Sequence, residues 1–176
     1  MVRTGGIISL SARAGFDGTY VTRIGAQGGQ FGLARLRNDG TLQTVWDRSN
    51  VFLIGSLPND AVVAAVQQAD GSQRHMILSA SGGGGRVILK PGDLTWPPSY
   101  DGKWLLYGIP ANGTFEMGLF NIADGSMRRL TTTPDDEDGA EFTRDGKTVV
   151  FARAKTVQHT HSADVSKLMT PPSQSR

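Results

Sequence analysis

The sequence has 176 residues, 38% of them hydrophobic and 19% charged, enough for one globular domain with a sizeable core. The net charge is +2 with basic residues scattered along the chain, which excludes the clustered basic face of a nucleic-acid binder. There are no cysteines, so disulfides, thiolate metal sites and cysteine nucleophiles are excluded.

No apolar run approaches the roughly 20 residues of a membrane-spanning helix, so membrane insertion is not expected. The opening stretch MVRTGGIISLSARAGFDG lacks the apolar core of about 7–15 residues of a signal peptide, and none is expected there. Glycine is the outlier at 23 residues without a collagen period, which predicts many tight turns and many short strands.

Taken in chain order, four stretches share a turn aspartate followed by a strand-like run. They are GFDGTYVTRIG from Gly15, LPNDAVVAAVQ from Leu57, SYDGKWLLYGI from Ser99 and TRDGKTVVFAR from Thr143. Their aspartates, Asp17, Asp60, Asp101 and Asp145, are spaced by 43, 41 and 44 residues. A second element repeats in phase: RNDGTLQTVWD from Arg37, SGGGGRVILK from Ser81 and IADGSMRRLTT from Ile122. A period of roughly 40–45 residues with about four strands per repeat is that of a propeller blade.

The third unit is the most legible. A first strand is expected around Leu94 to Trp96, a turn at Asp101-Gly102 leads into Lys103 to Gly108, and Asn112-Gly113 leads into Phe115 to Ile122. Asp124-Gly125 then leads into Met127 to Thr131. Asp-Gly and Asn-Gly supply the positive φ of tight hairpin turns. The runs VVAAV, WLLYG, TVVFA and RVILK lack polar alternation, which predicts inner strands buried on both faces. Trp104 and Tyr107 are expected to pack between neighbouring blades.

The fold class expected is therefore all-β, built of propeller blades in about four repeats of roughly 42 residues, as a complete or partial propeller. The blades are placed at about residues 7–48, 51–90, 93–133 and 139–166, the last including a strand over 156–165. Residues 167–176, rich in proline and serine, are expected to form a flexible tail.

Residues 99 to 154 also resemble a known family, the TolB-type propeller repeat. Its pattern runs W-S-P-D-G-K-x-[IL]-[AV]-[FY], then a strand ending in an Asp-Gly turn, then R-x-L-T. Asp101-Gly102-Lys103 and Asp145-Gly146-Lys147 match the turn, and Arg128-Arg129-Leu130-Thr131 matches the end. Pro98-Ser99-Tyr100 and Phe142-Thr143-Arg144 stand where Trp-Ser-Pro is expected. The resemblance implies a six-bladed propeller of an extracytoplasmic or periplasmic bacterial protein that acts as a protein-interaction platform. The same repeats also occur fused to peptidases and kinases. An accessory or sensor propeller split from such a fusion, or a fragment of a larger six-bladed ring, is thus the alternative reading.

The motifs that resemble chemical sites fall on these turns and strands. Gly146-Lys147-Thr148 ends like a phosphate-binding loop, but Glu141 replaces the required glycine and a strand follows, so a hairpin turn is expected. The run Gly82 to Gly85 precedes a strand instead of a helix, so no helix N-terminus meets an anion there. No cofactor and no metal site are expected. His159 and His161 share one face of a strand without a third ligand, and His75 is expected at the surface.

The run PDDEDG gathers Asp135, Asp136, Glu137 and Asp138. It is expected in a solvated loop between the outer strand of one blade and the inner strand of the next, as a contact for a protein partner. No nucleophile elbow or zinc-protease motif is present, so no enzyme is expected. If the propeller is open, self-association through uncovered sheet faces is expected.

Overall fold

The computed structural model describes residues 7–12, 18–24, 31–47, 50–58, 60–79, 84–89 and 94–155. They form strands and turns, with no helix among them. The strands group into antiparallel sheets whose order follows the chain. The first sheet holds β1 (Ile7–Ala12), β2 (Thr19–Ile24), β3 (Phe31–Leu36) and β4 (Leu42–Trp46). The second holds β5 (Val51–Leu57), β6 (Ala61–Gln67), β7 (Gln73–Ser79) and β8 (Gly85–Leu89). The third holds β9 (Leu94–Thr95), β10 (Trp104–Ala111), β11 (Thr114–Asn121) and β12 (Met127–Arg129). β13 (Asp136–Phe142) and β14 (Val149–Ala154) pair in a fourth. Sheets of this meander type, stacked face to face in chain order, are propeller blades.

The turns explain why the strands begin where they do. In Ser99-Tyr100-Asp101-Gly102 the Gly102 N–H donates to the Ser99 carbonyl at 2.9 Å, and neither central residue has a positive φ, which defines a type I turn. Gly102 follows at φ 71°, a value that favours glycine. The Asp101 carboxylate accepts the Lys103 N–H at 3.0 Å and the Ser99 hydroxyl at 2.7 Å. Thr143-Arg144-Asp145-Gly146, Arg37-Asn38-Asp39-Gly40 and Gln68-Ala69-Asp70-Gly71 have the same closing bond, at 2.8, 3.0 and 3.0 Å. A serine or threonine hydroxyl donates to the turn aspartate each time, and these bonds hold Asp39, Asp70 and Asp145 below the usual carboxylate range. Gly146-Lys147-Thr148 thus belongs to a hairpin.

Side chains on a strand alternate between faces, and the central strands divide their apolar residues accordingly. Val62, Ala64 and Val66 of β6 join Tyr20 and Leu33 of the first blade. Val63, one residue over, joins Leu105, Tyr107 and Phe120 of the third. Leu106 then points the other way and packs with Met117, Ala140 and Phe151 at the last seam. A strand sandwiched this way needs no polar face, so VVAAV and WLLYG are nearly continuous apolar runs. The blades also approach closely at Gly55, where an added Cβ would lie 2.4 Å from the Pro98 ring.

Several expectations need correction. In the run RVILK, Arg86 to Leu89 belong to β8, the outer strand of its sheet, where Arg86 and Val87 are exposed. TVVFA alternates, because only one face of β14 packs on the preceding blade, and Val150 on the other face is 62% exposed. Trp104 is half-buried at the start of β10 and joins none of the seam clusters, whereas Tyr107 does. His75 is 6% exposed in β7. Asp17, Gly82, Gly83, His159, His161, the strand expected over 156–165 and the tail lie outside the described residues.

Leu106→Ala is expected to destabilise the chain by about 2–5 kcal/mol and Trp104→Ala by only about 1 kcal/mol, measured by urea denaturation. An equal or reversed ranking would remove Leu106 from the seam.

Candidate functional site at the last seam

The acidic run is not a loop. β13 begins at Asp136, so Asp136, Glu137 and Asp138 are strand residues and only Asp135 belongs to the connection. The physical reason lies one blade back. β12 pairs with β11 only over Gly118–Phe120. The N–H groups of Phe115 and Met117 therefore lie beyond the end of the outer strand. A buried N–H without an acceptor costs about 1–3 kcal/mol.

The acidic run supplies the acceptors. Asp136 Oδ1 accepts the Phe115 N–H at 2.8 Å. Glu137 Oε2 accepts the Met117 N–H at 3.1 Å and the Thr131 hydroxyl as well. Thr131 Oγ1 itself accepts the Met117 N–H at 2.8 Å. Asp138 Oδ1 accepts the Trp96 indole N–H at 3.2 Å and the Gly139 N–H at 2.6 Å. Three consecutive carboxylates thus bind the preceding blade.

Glu137 is the centre of this cluster, with a fully buried side chain. Its Oε1 accepts two bonds from the Arg153 guanidinium, at 3.1 Å from Nε and 2.8 Å from Nη2. The Thr133 hydroxyl adds a third at 3.2 Å. Burial pushes the carboxyl pKa up, but the bonds from Thr131, Arg153, Thr133 and the Met117 N–H outweigh it and hold it below its ordinary 4.5. Glu137 is therefore a charged residue satisfied in place, and Arg153 neutralises it across β13 and β14.

The first seam uses the same device with different residues. Asn50 Oδ1 accepts the Phe31 N–H at 2.8 Å, at the start of β3. The Thr22 hydroxyl accepts the Leu53 N–H at 3.0 Å, next to the bulge in β5. Arg35 Nη1 lies 3.0 Å from Asp60 Oδ2, and the Tyr20 hydroxyl donates to Asp60 Oδ1 at 3.4 Å. Burial first, then the Asp60 charge, pushes Tyr20 up to about 12. At Glu116 the Arg129 Nε lies 3.1 Å from Oε2 but off the N–H direction, which makes an ion pair without a hydrogen bond.

Reading the sequence alone missed Thr131, Thr133 and Arg153 as partners of the acidic run, and Asn50 as its counterpart. One signal is present: Asn50 and Asp136 occupy equivalent seam positions, and Asp93 stands midway between them in sequence. Among the described residues no group of three or more His, Asp or Glu is placed to hold a metal ion, and no helix is long and apolar enough to cross a membrane.

No family model and no curated protein matches the sequence. Solved structures do match the fold. A protein assigned as TolB from Agrobacterium tumefaciens superposes with a TM-score of 0.68 at 19% identity, covering 84% of this chain and 53% of that one. TolB from Acinetobacter baumannii superposes with a TM-score of 0.69 at 13% identity, covering 84% of this chain and 37% of that one. The chain thus has a TolB-like propeller fold and spans about half or less of these relatives.

Asp136→Asn is expected to leave stability within about 0.5 kcal/mol, because an amide oxygen accepts the same bond as Asn50 does. Asp136→Ala removes the acceptor and is expected to cost about 1–3 kcal/mol in urea denaturation. Equal effects of the two changes would remove the bond to Phe115 from the account.

Because Glu137 titrates lower in the folded chain than its ordinary 4.5, its contribution is full above that value and is lost as pH falls through the depressed folded value. Melting temperature should fall with acidity below about pH 4.5, and less steeply in Glu137→Gln. Parallel pH profiles would contradict this.

Proposed function

We propose that the chain is a non-catalytic propeller module that serves as a protein-interaction platform, resembling TolB-type periplasmic proteins, in an extracytoplasmic setting. The observation that carries this reading is the TolB-like fold. The seam chemistry agrees with it. The carboxylates that would interest a catalytic reading are engaged in holding blades together, which leaves exposed turns and connections for recognition. Of the acidic run only Asp138 is exposed, so the run contributes little to a docking surface.

The four blades, at about 7–48, 51–90, 93–133 and 139–166, are proposed as one domain followed by the 167–176 tail. A second reading, that the chain is part of a larger six-bladed ring, is favoured by the exposed outward face of β14 at Val150.

The test is capture with the full chain from a periplasmic extract of the source cells, followed by light scattering of the purified complex. A stoichiometric, saturable complex with one protein is expected. A chain that retains no protein stoichiometrically, or that turns over a peptidase or kinase substrate, would contradict the reading.

A further inference from the structure

Four turns in this chain share one geometry, and the residue after the turn's first position plays no part in their closing bonds. Proline is favoured there, because its fixed φ suits a type I turn. The chain has Asn38, Ala69, Tyr100 and Arg144 instead. The last two belong to corresponding turns of neighbouring blades, and they meet. The Arg144 guanidinium carbon lies 5.7 Å from the centre of the Tyr100 ring, within cation–π range. Tyr100 remains 41% exposed beneath it.

The surroundings of this pair are cationic. Lys103 and Lys147 occupy the same position in the two turns and are exposed, Lys103 with 73% of its side chain. The aspartates beside them are engaged. Asp101 and Asp145 accept the hydroxyl and N–H bonds that shape the turns, and the Lys103 ammonium is 3.4 Å from Asp101. Arg144 thus covers an exposed aromatic ring, and the same two turns carry the exposed Lys103 and Lys147, three cations against the two turn carboxylates Asp101 and Asp145. The first of these turns packs closely on the preceding blade, where an added Cβ at Gly102 would lie 2.3 Å from the Pro58 ring. Tyrosine and arginine are the residue types that dominate interface energetics.

We propose that Tyr100, Lys103, Arg144 and Lys147 form the docking surface for a partner protein segment that presents carboxylates around an apolar side chain. The proposal rests on the platform reading above and names its surface and the charge of its partner. Arg144 and the two lysines receive the carboxylates, and the Tyr100 ring receives the apolar group. The surface lies at the end of β13 opposite the acidic run.

The experiment is an NMR titration of the full, nitrogen-15-labelled chain with the synthetic peptide acetyl-Glu-Asp-Phe-Asp-Glu-amide. The control is acetyl-Lys-Lys-Phe-Lys-Lys-amide. The acidic peptide is expected to shift the amides of residues 99–103 and 143–147, and the basic peptide is not. Tyr100→Ala with Arg144→Ala is expected to weaken the acidic peptide at least about tenfold at an unchanged melting temperature. Shifts centred elsewhere, equal binding of both peptides, or undiminished binding by a folded double variant would overturn the proposal. A double variant that still captures the protein partner stoichiometrically would overturn this surface and leave the platform reading standing.

Discussion

The third strand of a blade outruns its outer strand, and this mismatch shapes the structure. Phe31 lies beyond the reach of β4, and Phe115 and Met117 lie beyond the reach of β12. The Phe31 and Phe115 N–H groups face a neighbouring blade instead of a neighbouring strand, and the Met117 N–H is shared between Thr131 of its own blade and Glu137 of the next. A buried donor must find an acceptor. The chain meets that requirement with the first side chains of the next blade, Asn50 at one seam and Asp136 with Glu137 at another. Each such bond is directional, so it fixes how far one blade slides along the next. The apolar clusters supply most of the cohesion, but they do not by themselves set that register.

The charged seam and the apolar seam are one structure. Glu137 is buried beside Met117 and Ala140 because Arg153, Thr131 and Thr133 satisfy both of its oxygens. Removing the acid while Arg153 stays leaves unpaired donors, the costly way to break such a pair. Both oxygens of the Glu137 carboxylate are thereby taken up within the seam. That division of labour connects the fold to the functional reading. Strands and their seams carry the internal polar chemistry, and the exposed turns carry Tyr100, Arg144 and the lysines.

Much of this was legible in the sequence. The turn aspartates and glycines located the hairpins of the third blade, because positive φ and a carboxylate acceptor are local requirements. The runs in β6 and β10 announced burial on both faces. The failures were non-local. RVILK and TVVFA have the composition of inner strands, but an outer strand and an open face tolerate apolar residues too. Trp104 lies at a strand start, where a large ring is only half covered. Four adjacent acids read as a solvated loop, because nothing nearby in sequence says that Phe115 and Met117 need acceptors. That information resides in the length of β12 relative to β11, which only the paired sheet reveals.

The most direct test of this account is amide hydrogen exchange, read residue by residue by NMR on the intact chain. The N–H groups of Phe31 and Phe115 decide it. If side chains of the next blade accept them, they exchange as slowly as the in-sheet amides of β10, with protection that reflects opening of the seam. If they exchange as fast as the amides of exposed turns, Asn50 and Asp136 have no part in fixing one blade on the next.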